Sequence, residues 1–417
     1  MSKITYEIDI ASKQNKVWNK NFTLLTIGSF ISMMGSYMAS LAISFTVFDM
    51  TKSVFLFAMF NVAYYIPKLV ITPLLGPIID KYSRKKIVIG TDCCYCLLFF
   101  LLPVIIYFTE FSLPLYLGFN FLISLLDSIY SAAFTTLLPD TITPGKSQKA
   151  YSIDSLLGPI SQGLMAPIFL IVYNKIGLSG ILIFNSITYL LVAIFECFID
   201  VKENLIKDSK STFLENLKEG YVYLRKEKGI YVIYMKIFFT TVTWGAIMTV
   251  MLPYFESKVN LGKDKYIILG IVMTGSRFII GFLQSIFVTY SPENKFKIYV
   301  IINFIIDSLL LFIFISPLYG IYVIWGITGS LGIITITIRT SSIMAYIPGN
   351  MRGRLSSISL VLSNMGMLLG SFLGGFIAEK LGYITLGTLV GILGLVVNVY
   401  YFSRYKKSLS LVFRKDL

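Results

Sequence analysis

GPIIDKYSRKK, Gly76 to Lys86, joins two long apolar runs through a short polar turn. Asp80 closes the first run, and Lys81, Arg84, Lys85 and Lys86 open the second. So short a link holds two helices side by side. A carboxylate at its start can meet the positive N-terminal dipole end of a neighbouring helix. The basic cluster behind it suits a cytoplasmic surface, where Lys and Arg set the orientation of spanning segments. The plainer reading of the turn is a positive anchor and nothing more.

The chain on both sides is built of the same material. Of its 417 residues, 56% are apolar and 14% charged, with a mean hydropathy of +0.76. Soluble proteins carry about 25% charged residues, so a disordered chain, a disulfide scaffold and an ordinary cytosolic enzyme are all disfavoured. The runs lack strand-like alternation, and inside a bilayer helices satisfy their own backbone groups. Twelve spans are predicted, at residues 22–48, 54–79, 87–108, 114–138, 152–173, 178–199, 230–254, 266–289, 298–315, 318–340, 355–378 and 384–403. The first 21 residues are polar, and the run after them reads as a retained first span rather than a cleaved leader. Cys93, Cys94, Cys96 and Cys197 match no zinc spacing and are expected to be inert small hydrophobes.

Charge placement orients the chain. With the N-terminus inside, cytoplasmic segments hold 27 of the 36 Lys and Arg, and outer segments hold 6. Both termini are therefore expected in the cytoplasm, and the net +14 marks loops rather than a nucleic-acid surface. The predicted organisation is a cytoplasmic segment 1–21, a six-helix bundle 22–199, a loop 200–229, a second six-helix bundle 230–403 and a basic tail 404–417. Within the loop, FLENLKEGYVYLRK (Phe213–Lys226) is predicted to form an amphipathic helix on the membrane surface. Pro139 and Pro348 are 209 positions apart, as are Lys68 and Arg277, which is what duplicated halves would leave.

The opening stretch resembles the loop between helices two and three of the major facilitator superfamily, Gly-x-x-x-Asp-Lys/Arg-x-x-x-Arg/Lys-Lys/Arg. The resemblance covers nearly the whole chain. WNKNFTLLTIGSFISMMGS from Trp18, LLPDTIT from Leu137, IFNSITYLL from Ile183, FLENLKEGYVYLRKEKG from Phe213 and the RGR of Arg352 to Arg354 are similar to the drug:proton antiporter branch that includes macrolide-efflux proteins. The resemblance implies an all-α membrane protein of two pseudo-symmetric six-helix bundles. It also implies a cytoplasmic gate motif at Gly76, Asp80, Lys81, Arg84 and Lys85, with Asp80 latching the second helix to the eleventh. The chain departs from the branch in helix five, where Ala166-Pro167 stands in place of Gly-Pro and the paired glycines are missing. Helix four lacks the Arg common in proton antiporters.

Ionisable groups inside spans are costly, about 2.5–3.5 kcal/mol each on insertion scales, and tend to be functional. Lys68, Asp127, Arg277 and Asp307 lie near one depth, close to the midplane; Asp92, Glu196 and Lys236 lie nearer the cytoplasmic side. Arg277 with Asp307 is the simplest expected pair, and Lys68 can meet Asp127. Either these charges lock helices together or some line a central cavity. With no His in the chain a proton carrier is expected to be a carboxylate, and Asp127 is the leading one because the resemblance implies that helix four lines the cavity; Lys68, Arg277, Asp307 and Lys236 complete the candidate proton or substrate site. Gly366, Gly370 and Gly374 form a small-residue face suited to close helix packing.

The expected function is secondary transport by alternating access, as proton-coupled efflux of a lipophilic small molecule. Uptake or export of an anionic metabolite on the same fold is the alternative, and a non-transporting membrane sensor or partner subunit the remote one. An enzyme is not expected, for want of His, a nucleotide loop or a metal-ligand cluster, and no cofactor is expected. The expected partners are a small-molecule substrate, protons and the lipid bilayer, with no nucleic acid. The chain is expected as a monomer in the plasma membrane of an AT-rich bacterium, given its excess of Lys over Arg.

Overall fold

The computed structural model describes residues 17–75, 79, 81–201, 203, 213–258, 261–287 and 290–414. Among them there is helix but no strand. The first half contributes α1 (Lys20–Thr51), α2 (Val54–Val70), α3 (Arg84–Phe108), α4 (Leu113–Thr141) and α5 (Ser147–Cys197). The second contributes α6 (Phe213–Lys226), α7 (Lys228–Ser257), α8 (Lys263–Phe287), α9 (Pro292–Leu310), α10 (Leu318–Tyr346), α11 (Gly349–Leu381), α12 (Tyr383–Arg404) and α13 (Lys406–Arg414). Nine of the described helices are long and apolar enough to cross a membrane.

Local chemistry sets the ends. The Asn19 side chain accepts from Phe22 N at 2.9 Å and starts α1; Ser83 does the same for α3, accepting from Lys86 N. α5 runs for 51 residues, which at about 1.5 Å per residue would more than double a hydrocarbon core of about 30 Å. It breaks at Gly177, whose φ of 64° lies in the left-handed region where a side chain is unfavourable. One continuous helical stretch therefore supplies the fifth and sixth spans. The second span is shorter than predicted: α2 stops at Val70, and a turn of 3-10 helix, Thr72–Leu74, follows. Pro73 lies in that turn and has no N–H with which to continue an α-helix. The ninth span likewise leaves the α-helix at Leu310 and continues as turns.

By proximity of their backbones the residues form two compact units, Met1–Thr46 with Val70–Lys210, and Val47–Leu69 with Ser211–Leu417. In the first, Phe22, Leu25, Val88, Leu137 and Ala150 close one end of the bundle. In the second, one apolar cluster gathers Ile233, Tyr299, Leu355 and Phe402, and another gathers Phe255, Ile313 and Trp325. The expected tail is partly a helix: α13 buries Leu409, Val412 and Phe413, spaced to share one face. Ile171, Phe282 and Val396 are among many large apolar side chains left exposed, as lipid-facing positions require.

Candidate functional site

The signature turn is anchored to other parts of the first unit. Arg84 Nη1 reaches Asp140 Oδ2 at 3.0 Å, tying the start of α3 to the end of α4. Lys85 Nζ donates to the carbonyls of Cys197, the last residue of α5, and Ile199 just beyond it, at 2.9 and 2.5 Å. Glu203 accepts from Ser83 Oγ, Arg84 N and Lys85 N at 2.9, 2.7 and 3.1 Å. The Glu203 carboxylate therefore sits on the N-terminal dipole of α3, and no sequence motif singles it out. Lys81 is exposed; Gly76 and Asp80 lie outside the described residues.

Asp127 is half-buried on α4 and accepts from Tyr95 Oη at 3.4 Å. Tyr95 stacks on Tyr189 with 4.6 Å between centroids, and Phe99 stacks on both. The Tyr189 hydroxyl is 2.7 Å from Ser36 Oγ. A carboxylate therefore sits at the edge of a wall of stacked rings drawn from α3 and α5.

In the second unit the expected Arg277–Asp307 pair does not form. Asp307 Oδ2 instead takes Lys236 Nζ at 3.4 Å and Asn398 Nδ2 at 2.7 Å, joining α9 to α7 and α12. All three side chains are buried. Gly394 on α12 makes the approach feasible, because a Cβ there would collide with the Asp307 carboxyl group. Arg277 lies over the Trp244 ring, 5.5 Å from its centroid, with its Nε buried and unpaired. Trp244 in turn stacks on Trp325 at 5.5 Å. Lys68 sits 4.4 Å from the centroid of Tyr64. Both cations of the 209-residue pair thus rest on aromatic faces, whose electron-rich centres attract cations. Lys68 belongs to the second unit and Asp127 to the first.

Gly366, Gly370 and Gly374 all face α7: an added Cβ would run into Thr241, the Val242 carbonyl and, at 2.6 Å, Ala246 Cα. At the far end of α11, Glu379 accepts from Ser53 Oγ and Phe55 N, both at 2.7 Å, and so caps α2. Asp49, near the end of α1, forms an ion pair with Lys263 at the start of α8.

Residues 25–344 match the family model described as Major Facilitator Superfamily. The chain belongs to that superfamily. Over 216 residues it is 20% identical to macrolide efflux protein A of Streptococcus pyogenes, an alignment covering 51% of this chain and 53% of that one. Over 264 residues it is 24% identical to the uncharacterized MFS-type transporter YkuC of Bacillus subtilis strain 168, covering 60% and 59%. The chain thus spans between half and three-fifths of the length of these curated relatives. Among solved structures, the nucleoside transporter NupG superposes with a TM-score of 0.68 at 13% identity, covering 93% of this chain and all of that one. A bacterial homologue of the human lysosomal transporter Spinster superposes at 0.66 and 12% identity, over 94% and 96%. The fold is the major facilitator fold, all-α and multi-pass. Members of this superfamily are transporters rather than enzymes, bind small-molecule substrates and sit in the lipid bilayer.

Proposed function

We propose that the chain is a secondary active transporter that exports a lipophilic, macrolide-like small molecule against entry of protons, by alternating access. The observation that carries this reading is Asp127 at the edge of the Tyr95–Tyr189–Phe99 stack. Flat apolar rings suit a lipophilic cargo, and a half-buried carboxylate beside them can take a proton or a cationic group. The name borne by the Streptococcus relative agrees with it. In this proposal residues 22–199 and 230–403 act as the two halves that rock about a midplane site. Gly76, Asp80, Lys81, Arg84 and Lys85 form the cytoplasmic gate, both termini face the cytoplasm of a bacterial cell, and the working unit is a monomer. The gradient supplies about 2.3 kcal/mol per charge per 100 mV.

A second reading has its own observation. Arg277 is a cation inside a span with a buried, unpaired Nε, a place where an anionic metabolite would bind. Transport in everted vesicles against a panel of drugs and anionic metabolites, with and without a proton uncoupler, separates the two. Uncoupler-sensitive accumulation of a macrolide that fails in Asp127→Asn supports the first. Accumulation of anions alone, lost in Arg277→Ala, supports the second.

A further inference from the structure

Among its described residues, the first unit buries two carboxyl groups on which no Lys or Arg acts. Asp92 on α3 and Glu196 at the end of α5 are each 1% exposed. They face one another, and none of their four oxygens has a hydrogen-bond donor in reach. Ser29 on α1 and Tyr130 on α4 border the same spot. Both hydroxyls are also buried, with Ser29 1% exposed. The other titratable groups acting on the pair are Tyr189 and Cys197 on α5 and Cys93 on α3. Among the described residues, no Lys or Arg acts on either carboxyl.

The second unit has a counterpart, in which the acid is paired. Lys236 on α7, Asp307 on α9, Arg339 on α10 and Asn398 on α12 cluster there. They occupy the first, third, fourth and sixth spans of their half, as Ser29, Asp92, Tyr130 and Glu196 do in theirs. Tyr130 and Arg339 are 209 positions apart, the offset already seen for Lys68 and Arg277. Where one cluster has Lys and Asn to satisfy its Asp, the other has a Ser and a second acid.

Two ionised carboxylates in contact, away from water, repel each other and lose their hydration. One proton removes one of the charges and converts the contact into an O–H···O⁻ hydrogen bond, which is a strong one. We propose that Asp92 and Glu196 form a proton-binding site that holds one proton between them and exchanges it during the transport cycle. The proton binds reversibly to a carboxylate oxygen, and no other bond is made or broken. The use of this site in transport rests on the secondary-transport reading above; its existence as a proton site does not.

Two measurements separate these. The first is infrared titration of the purified full-length protein, without cargo, from mildly acid to mildly alkaline buffer. The wild type is expected to show the C=O band of a protonated, buried carboxyl that persists at neutral pH and is unaffected by sodium. The band should shift in Asp92→Asn and in Glu196→Gln and vanish in the double variant. Glu196→Lys supplies the missing cation, as Lys236 does for Asp307, so it should fold and lack the band even if the double variant does not fold. A band unchanged in these variants, or one displaced by sodium ions, overturns the proposal.

The second is uptake of a radiolabelled macrolide into proteoliposomes. A pH step of about one unit, coupled one to one, sustains about tenfold accumulation. Asp92→Asn and Glu196→Gln should abolish that accumulation and keep macrolide exchange across the membrane. Folded variants in which accumulation and exchange fall together would make the pair structural and overturn its coupling role. If the wild type shows the band but moves no macrolide, the proton site stands and the cargo assignment fails.

Discussion

Lys236 and Asp307 show how much a single buried partner matters. Both are charged groups almost out of contact with solvent, at 3% and 6% exposure; they lie 3.4 Å apart, and Asn398 donates to the same Asp307 oxygen. Removing one member strands the other, at a cost of about 3–5 kcal/mol, whereas replacing both with apolar groups is often nearly neutral. Lys236→Met and Asp307→Leu alone are therefore expected to lower the melting temperature sharply, and the double variant to recover most of the loss. Additive losses in fluorescence-detected melting would show that the pair is not coupled. The cost of placing charge in hydrocarbon made Lys236, Asp307 and Arg277 legible in the sequence as special residues. Their partners were not legible, because equal depth fixes height along a span but not the direction a helix face points. Asp92 and Glu196 were visible only as acids in apolar runs. Two like charges more than 100 positions apart carry no complementarity to suggest that they meet.

Helices were legible wherever a long apolar run ended in a polar or glycine-bearing turn, and Phe213–Lys226 formed as its amphipathic pattern required. Less legible were elements set by contact rather than by pattern. The capping of α3 by Glu203 depends on where a segment beyond α5 returns, and α13 docks through three apolar residues hidden in a basic stretch. Glu203→Gln keeps the size of the cap but removes its charge from the dipole end of α3. It is expected to cost about 0.5–2 kcal/mol, read as a modest fall in thermal stability, and Asp200→Asn is expected to do less. On α11, Gly370→Leu must push against the Val242 carbonyl of α7, where backbone cannot yield. It is expected to destabilise the chain far more than Gly353→Leu, whose position has open space around it; equal stability of the two in detergent would refute the close approach of α7 and α11.

The proposed topology puts most of the positive charge on one side of the bilayer. In a background lacking the four native cysteines, Lys380→Cys is expected to react with a membrane-impermeant maleimide in right-side-out vesicles, and Lys81→Cys only in everted ones. Orientation is a matter of charge bias, which a sequence displays openly. Cargo is set by the shape and polarity of a pocket assembled from several helices, which no one stretch encodes. In the proposed cycle the charged groups near the midplane are reached from one side of the membrane at a time. Reactivity of Asp127→Cys and Arg277→Cys toward an impermeant thiol reagent, measured separately from each face, tests it most directly. Labelling of both positions from either face, with saturating macrolide altering the balance between faces, is the predicted result; positions closed to the reagent from both faces, with and without macrolide, would contradict it.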